Sequence, residues 1–517
     1  MVDADLIGEV REILSVDVAA FERRVAEEAT VVREAVDDGV FDNPQGLVGL
    51  EAEFYAVANR EGTERWVQPG EIGETGALAR IPRRLLEYVG FEKELGLHNA
   101  ELSTSPQPLN GDGLRAQEAE MAARLRTVRE PMGARGLQLV SDGLWTVPPT
   151  GETAAEYLTD HATVDGLRFA ANMSASPRYH AMSNADPRPS MELSVPHATL
   201  EAGTVLPESL ITSIQPHYQV PRARDLPTYH RYALRIAGPL VALAANAPLL
   251  PPGLYDGDAD PSAILADGHD EHRIAVFESV MNAPDVEKVR FPYDVRTVEG
   301  ALDAVVADRA LVPAMLDRDG DRFDDRFAHF RHKHGSYWRW IRPVFEGATR
   351  SAANARVEFR PLSAQPTIRD AVAFQAAVGG LLVGLRREDH PLADLDWARA
   401  RENFYAAARD GLDADLAWIT ADGERTDETG ALYEDLFAAA EEGLRTQGVP
   451  ARDAERYLRP LRDRIADGRT PADWKRGRIR ERLAEGASFE EAVAATQRAY
   501  VERQRETLFE GSFADWD

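Results

Sequence analysis

The sequence predicts an α+β fold in which a curved sheet forms a cup, is flanked by helices and is followed by a helical C-terminal portion. Two patterns indicate this. Four separate segments alternate apolar and polar residues with the period of two that is typical of half-buried strands. From Asp370 to Asp517 the sequence is helical almost throughout, with breaks at Gly and Pro. We therefore expect a domain over residues 1–380 that contains the sheet, and a helical portion over residues 381–517 packed on it.

The N-terminal segment leads into the first strand. Residues 5–38 carry an apolar stripe at helical spacing and predict a helix. In residues 48–55 the even-numbered positions are apolar, whereas Glu51 and Glu53 point to the opposite face. Same-face neighbours on a strand lie about 7 Å apart, so these two carboxylates repel each other unless a positive group lies beside them. A divalent cation is one such group, and an ordinary solvated strand face is the alternative.

Two further strands also carry polar side chains on one face. In residues 99–105 the odd-numbered positions are polar and include Glu101. In residues 213–219 the odd-numbered positions are again polar and include His217, which stands in a row of hydrogen-bonding side chains. Pro216 lies within this strand and has no backbone N–H to donate. We therefore expect the strand to lie at an edge of the sheet or to be bulged.

Loops and helices separate these strands. Residues 142–196 are rich in Pro, Ser and Asn and predict loops, with Arg178 in their most distinctive motif. Residues 228–246 predict a buried helix that runs into a proline-rich, rigid loop, and a second helix begins near Arg273. The uncharged run over residues 236–255 is long enough to suggest a membrane span. Its four prolines make a buried helix and loop the better interpretation.

The fourth strand and the segment before it carry positive charge. Residues 356–362 alternate so that Glu358 and Arg360 share one face, which predicts either a cross-strand ion pair or a site for a cation and its phosphate. Residues 329–345 form a basic, aromatic-rich patch in an otherwise acidic chain. This patch is either a packed aromatic stretch with solvated arginines or a site that holds an anion.

Composition excludes several classes of function. The 59 basic and 87 acidic residues give a net charge of −28, which argues against nucleic acid or an anionic membrane as a partner. The absence of cysteine excludes disulfides, thiolate zinc sites and a cysteine nucleophile. The N-terminus lacks the order of a secretory signal, so we expect a cytoplasmic protein. Only four lysines occur, and such an acidic, lysine-poor surface resembles those of proteins from salt-accumulating halophiles.

Six side chains on the polar strand faces suggest chemistry with metals and phosphates. If the strands belong to one sheet, these side chains line a single cup: Glu51, Glu53, Glu101, His217, Glu358 and Arg360. Oxygen ligands with at most one imidazole suit Mg²⁺ or Mn²⁺, and such ions are usually shared with substrate phosphates. An arginine beside them suits a moving phosphoryl group. The sequence has no P-loop motif, so metals and arginines would have to hold the phosphates.

Five short motifs occur in the order found in the glutamate-cysteine ligase type 2 group, and the sequence resembles that group of carboxylate-amine ligases. The motifs are Gly49-Leu50-Glu51-Ala52-Glu53, Glu101-Leu102-Ser103 before Pro106, Gln215-Pro216-His217, Asn246-Ala247-Pro248 and Val357-Glu358-Phe359-Arg360-Pro361. The resemblance covers about residues 45–380. It implies a glutamine synthetase-like fold with a mainly antiparallel sheet.

The resemblance also implies roles for individual residues. It implies that two or three Mg²⁺ ions, or Mn²⁺ in their place, are bound by Glu51, Glu53, Glu101, His217 and Glu358. Arg360 would contact the phosphates of ATP and would be catalytic together with Glu53. Arg178 and Arg273 would bind a substrate carboxylate or phosphate. Pro216 replaces the aliphatic residue usual in the family, and the loop after Pro252 lacks the usual Gly and Ser pattern, which leaves the amine substrate open.

The implied reaction is ATP-dependent ligation through an acyl phosphate. Glutamate and cysteine are the expected pair, with γ-glutamylcysteine as the product. Two alternatives stay open: the same chemistry with another amine or acid, and a phosphotransferase on the same fold. A scaffold without activity is disfavoured because all five candidate metal ligands are present. We expect small amino-acid substrates as partners, and the sequence leaves the oligomeric state unassigned.

Overall fold

A computed structural model of the chain describes residues 2–60, 73–185, 190–283, 286–316 and 320–517. The strands are Leu47–Ala58 (β1), Glu92–Lys93 (β2), Asn99–Ser103 (β3), Gln107–Pro108 (β4), Leu137–Val140 (β5), His161–Val164 (β6), Leu167–Ala170 (β7), Met191–Val195 (β8), Ala198–Ala202 (β9), Ser213–Gln219 (β10), Ile341–Glu346 (β11), Asn354–Phe359 (β12), Leu362–Ser363 (β13), Trp418–Ile419 (β14) and Arg425–Thr426 (β15). The helices are Ala4–Leu14 (α1), Val18–Asp37 (α2), Arg83–Val89 (α3), Gly111–Gly133 (α4), Ala154–Thr159 (α5), Pro177–Ala185 (α6), Leu226–Ala244 (α7), Pro261–Asp267 (α8), His272–Met281 (α9), Val298–Ala307 (α10), Ala328–His334 (α11), Ile368–Arg387 (α12), Trp397–Asp410 (α13), Thr429–Thr446 (α14), Ala451–Asp467 (α15), Pro471–Ala484 (α16) and Phe489–Thr507 (α17).

One antiparallel sheet organises the N-terminal two thirds of the chain. Its main path runs β11-β12-β10-β1-β3-β2, and β4, β5 and β13 pair beside that path. The long strand β1 changes partners along its length. It pairs with β10 over residues 48–52 and with β5 over residues 55–58. The sheet is curled, and the predicted α+β fold with a curved antiparallel sheet is confirmed.

Pro216 lies inside the sheet, so the predicted edge position is wrong, but the predicted bulge is present. On one side Pro216 pairs with Leu50 of β1. On the other side His217 pairs with Glu358 of β12, whereas Ile214 pairs with Leu362 of β13. The three-residue interval between Ile214 and His217 on β10 therefore lies opposite a four-residue interval between Glu358 and Leu362. Pro216 lies at this one-residue slip between two ladders, where a missing backbone N–H costs least.

The apolar face of the sheet packs on two buried helices. The even-numbered residues of β1, from Val48 to Phe54, are at most 3% exposed. They face α12, which is buried over almost its whole length, and α7 packs against β11, β12 and β13. Among the described residues, α12 is the one helix long and apolar enough to cross a membrane, and 94% of its apolar window is buried inside the protein. It is therefore a core helix of this fold.

The C-terminal helices pack closely against this core. A Cβ atom built on Gly384 of α12 would lie 2.0 Å from the carbonyl oxygen of Ala439 in α14, so the two helices touch backbone to backbone. From α16, the buried Lys475 forms an ion pair with Asp142 and donates to the carbonyl oxygen of Asn246 at 2.7 Å. Residue 380 lies within α12. The division of the chain at that residue stays a prediction.

Two segments differ from the sequence prediction. The single helix expected over residues 5–38 is two helices, because the chain turns at residues 15–17 and Asp17 caps α2 by accepting from the Ala20 N–H at 3.0 Å. The loops expected over residues 142–196 contain short helices and strands. Arg178 lies in the first turn of α6. These elements are four to nine residues long, too short for hydrophobic periodicity to reveal them.

Candidate active site

Three neighbouring strands bring Glu51, His217 and Glu358 together on the polar face of the sheet. His217 and Glu358 are direct cross-strand partners, and Glu51 pairs with Gln215, two positions from His217. One ligand atom from each of the three side chains lies within 4.8 Å of the others, and His217 Nε2 is 3.3 Å from Glu51 Oε1. Burial alone would raise the pKa of Glu51, but His217 and then Arg360 lower it below its usual value. The three side chains have the spacing of a metal site.

The imidazole of His217 is oriented toward these carboxylates. Arg356 Nε donates to Nδ1 at 3.2 Å and holds the ring in place. Within the part of the chain that the structure describes, Nε2 is buried, makes no well-aligned hydrogen bond and faces Glu51 Oε1 at 3.3 Å. An orphaned ring nitrogen next to two carboxylates fits a divalent cation with oxygen ligands and one imidazole. We call Glu51, His217 and Glu358 the metal cluster.

Two guanidinium groups flank the metal cluster. Arg342 Nη2 lies 2.9 Å from Glu358 Oε1, and Arg360 forms an ion pair with the same oxygen. Burial would raise the pKa of Glu358, but Arg342 and Arg360 more than offset this and hold it well below its usual range. Arg360 also donates to Gln215 Oε1 at 2.7 Å. The cluster therefore combines carboxylates that stay ionised with two cations that can face a phosphate.

Glu53 and Glu101 lie next to the metal cluster and face each other across β1 and β3. Glu53 accepts from the Ser213 N–H at 2.6 Å and from Gln215 Nε2 at 3.0 Å. Burial, followed by the charge of Glu94, raises the pKa of Glu53 to about 7. Burial and Glu94 also hold the pKa of Glu101 well above its usual range. Crowded carboxylates of this kind are relieved by a bound cation, which suits the role predicted for both residues.

Two pockets meet at Glu51. The inner pocket, of about 290 Å³, is lined by five glutamates, Glu51, Glu53, Glu94, Glu101 and Glu208. Its arginines are Arg178, Arg342 and Arg360. The outer pocket, of about 490 Å³, is lined by residues that include Gly49, Glu51, Ser103, His217, Arg322 and Asn354. A Cβ atom on Gly49 would meet nothing within 4 Å, so this glycine leaves open space beside His217. The metal cluster thus separates two binding spaces.

The two arginines assigned to substrate binding occupy different positions. Arg178 lines the inner pocket and donates to the carbonyl oxygen of Gly335 at 2.7 Å. No carboxylate of the described chain lies within ion-pairing distance of it, so its charge is available to a ligand. Arg273 lies behind the site and donates to the carbonyl oxygens of Arg360 and Leu362, at 3.0 and 2.9 Å. In this position Arg273 supports the backbone that carries Arg360.

Three charged residues of the inner pocket were missed by the sequence reasoning. Glu94 follows a two-residue strand, where no alternation could mark it. Glu208 belongs to a short 3₁₀ helix, and its only sequence signal is that it is the one charge in an apolar run. Arg342 belongs to the basic aromatic patch, for which an anion site was one of two interpretations. In the structure Arg342 lines the inner pocket and pairs with Glu358, and the anion interpretation of the patch stays a prediction.

Comparison with known proteins agrees with this geometry. Residues 47–501 match the family model for glutamate-cysteine ligase family 2. No curated protein sequence matches the chain significantly. A crystal structure of glutamate-cysteine ligase from Francisella tularensis in complex with AMP is similar in fold, with 15% identity, a TM-score of 0.51 and 91% of each chain covered.

Two more distant structures also align. A bifunctional glutathione synthetase from Pasteurella multocida has 14% identity and a TM-score of 0.48, with 93% of this chain and 55% of that chain covered. The ligase PafA in complex with the ubiquitin-like protein Pup has 11% identity and a TM-score of 0.37, with 87% and 71% covered. The match to the family model spans most of the chain. The chain therefore belongs to glutamate-cysteine ligase family 2 and is an ATP-dependent ligase that joins a carboxylate to an amine.

Proposed function

We propose that this ligase joins the γ-carboxylate of glutamate to the amino group of cysteine, with ATP and Mg²⁺, to give γ-glutamylcysteine. The observation that carries the proposal is the metal cluster, flanked by Arg342 and Arg360 and placed between two pockets. Ligation needs a place where a phosphoryl group passes from a nucleotide to a carboxylate. A cation-binding cluster with two adjacent guanidinium groups supplies that place.

The donor set suits Mg²⁺, with Mn²⁺ as the substitute. Glu51, His217 and Glu358 would hold one ion, and Glu53 with Glu101 would hold a second beside it. When bound, such ions neutralise the charge of the phosphates and of the phosphoryl group in transit. The carboxylates fit this role because the chain already keeps Glu51 and Glu358 ionised.

The protein's own side chains would then bind and orient the substrates. We assign the nucleotide to the outer pocket and the acid and amine to the inner pocket, so that the phosphates meet the acid at Arg360. Arg342 and Arg360 would contact the phosphoryl oxygens, and Arg178 would bind the α-carboxylate of glutamate. Phosphorylation turns the γ-carboxylate into an acyl phosphate, whose phosphate is a far better leaving group than oxide. The amine then attacks that carbonyl carbon.

Product analysis tests this proposal. The purified protein is incubated with ATP, Mg²⁺, glutamate and one amino acid at a time, and ADP and inorganic phosphate are quantified together. The proposal predicts equal amounts of ADP and phosphate, dependent on glutamate and cysteine, and a product with the mass of γ-glutamylcysteine. ADP without phosphate would indicate a phosphotransferase. Turnover with another acid and amine would support the ligase reaction and change the assignment of its substrates. We also propose that the enzyme works in the cytoplasm, where both amino acids and ATP occur.

A further inference from the structure

The short segment that carries Arg360 out of β12 is held by buried polar groups. The Trp340 carbonyl accepts from the Arg360 N–H at 2.9 Å, and Arg273 donates to the carbonyl oxygens of Arg360 and Leu362. Arg273 is 2% exposed, and its Nε lies 3.8 Å from Oε1 of Glu271, which is 1% exposed. Among the described residues, Glu271 is the one carboxylate within ion-pairing distance of Arg273.

Both carboxylate oxygens of Glu271 accept hydrogen bonds. Oε2 accepts from the Asn246 N–H at 3.1 Å, and Oε1 accepts from the Ser363 hydroxyl at 3.3 Å. The backbone N–H of Glu271 donates to the carbonyl oxygen of Ala408 at 2.9 Å. Ser363 lies in β13, into which the segment after Arg360 runs. The same carboxylate therefore contacts the arginine that supports this segment and the strand in which the segment ends.

Asn246 connects this arrangement to the C-terminal helices. Its side chain donates to the carbonyl oxygen of Ala364 at 2.7 Å and to the Tyr500 hydroxyl at 2.9 Å, and its own carbonyl oxygen accepts from Lys475 at 2.7 Å. Lys475 lies in α16 and Tyr500 in α17. Polar side chains that are buried in this way are normally hydrogen-bonded, and these are bonded to one another and to the segment after Arg360.

Resting on the role proposed above for Arg360, we propose that Glu271 is a positioning residue for phosphoryl transfer and acts through Arg273. Glu271 lines neither the inner nor the outer pocket, so its effect on the reaction is indirect. Its carboxylate fixes the guanidinium group of Arg273, whose donors hold the backbone on both sides of Pro361. A charge stabilises a transition state best when its position is fixed in advance, so a displaced Arg360 slows the chemical step.

Steady-state kinetics of two variants test this assignment, with an acid and an amine that support ADP release by wild type. Glu271→Gln removes the charge beside Arg273, and Glu271→Asp keeps it. We expect kcat of Glu271→Gln to fall about tenfold or more, the rate equivalent of one hydrogen bond to a charged group. The KM values should change less than about twofold, because the lost interaction acts only in the transition state. Glu271→Asp should recover most of the lost rate.

Glu28→Gln is the matched control, because it is the same substitution at an equally buried site. Glu28 is 0% exposed and lies 2.7 Å from His329, between α2 and α11. Its kcat should stay within about twofold of wild type, whatever the loss of stability. The assignment would be overturned by an equal loss of kcat in Glu28→Gln, by a folded Glu271→Gln variant with kcat within about twofold of wild type, or by higher KM values at unchanged kcat.

A double-mutant cycle shows whether Glu271 acts through Arg273. If the two side chains act as one unit, the double variant of Glu271→Gln and Arg273→Gln should have kcat within about threefold of Arg273→Gln alone. Losses that multiply would contradict the assignment. Ser363→Ala removes one hydrogen bond to Glu271 and adds no bulk, so it keeps the test open if the other variants do not fold. It should lower kcat about threefold or more, and an unchanged kcat would contradict the assignment.

Hydrogen exchange tests the same assignment without turnover. In the full-length protein with Mg²⁺, the amide hydrogens of residues 360–365 should exchange about tenfold faster in Glu271→Gln than in wild type, whereas those of residues 47–58 in β1 should not change. Equal exchange of residues 360–365 in both proteins would overturn the assignment. If wild type forms no γ-glutamylcysteine, the proposed substrates fail, but the exchange rates still decide whether Glu271 holds the segment that carries Arg360.

Discussion

Two replacements of Arg360 should distinguish the contribution of its charge from that of its hydrogen-bond geometry at the proposed site of phosphoryl transfer. The guanidinium group is buried, pairs with Glu358 and donates to Gln215, and it faces Glu51 and Glu53. Arg360→Gln removes the charge and leaves Glu358 paired with Arg342 alone, 2.9 Å away. Breaking a buried ion pair costs about 3–5 kcal/mol. Because Arg342 still pairs with Glu358, we expect the free energy of unfolding to fall by about 3 kcal/mol, near the lower end of this range. Arg360→Lys keeps the charge and should lose about 1.5 kcal/mol, the low end for one hydrogen bond to a charged group.

The effect on turnover should be larger than the effect on stability. An arginine that neutralises a moving phosphoryl group contributes about 10³- to 10⁵-fold to the rate. We therefore expect kcat of Arg360→Gln to fall by about that factor and kcat of Arg360→Lys to fall less. Urea unfolding with and without Mg²⁺ measures stability, and ADP release measures turnover. A folded Arg360→Gln variant with kcat within threefold of wild type would refute the role of Arg360.

Three further predictions concern the outer pocket, the helix packing and the surface charge. Gly49→Val should raise the KM for ATP at least fivefold without lowering stability, because the new side chain enters open space beside His217. An unchanged affinity for the nucleotide would contradict the assignment of ATP to the outer pocket. Gly384→Ala should destabilise the protein by about 1–3 kcal/mol or more in urea unfolding, because its Cβ atom would lie 2.0 Å from a carbonyl oxygen of α14. Gly430→Ala in the exposed first turn of α14, where a Cβ atom meets nothing within 4 Å, is the control. The melting temperature should rise between 0.1 and 1 M KCl, because a net charge of −28 repels itself and 1 M salt shortens the screening length to about 3 Å. A melting temperature that is constant or falls would contradict the halophilic interpretation.

The polar faces of the strands were predictable because side-chain alternation is strict where one face of a sheet is buried. Glu51, Glu53, Glu101, His217 and Glu358 all lie on one sheet, and three of them form the metal cluster. The spacing within each strand is local information. Which residues stand opposite each other depends on register, and the one-residue slip at Pro216 could not be placed from the sequence alone.

Residues outside regular strands escaped prediction for a physical reason. Glu94 and Glu208 reach the inner pocket from a loop and a 3₁₀ helix, where neither period of two nor period of 3.6 marks a face. Arg178, on a short helix, was named only through the family resemblance. The supporting position of Arg273 also needed the tertiary structure. Its guanidinium group contacts carbonyl oxygens 87 and 89 residues away in sequence. The positions of the lysines also needed the tertiary structure. Three of the four are buried in ion pairs, namely Lys288, Lys333 and Lys475.

The most direct test of the central claim is to locate a divalent cation at the metal cluster. Crystals grown with Mn²⁺ and a non-hydrolysable ATP analogue allow the ion to be placed by its anomalous scattering. We predict an Mn²⁺ ion within about 2.0–2.3 Å of ligand atoms from Glu51, His217 and Glu358, bridged to the nucleotide phosphates. Binding of the nucleotide with no ion at these three side chains, or with the ion at a different group of residues, would contradict the account.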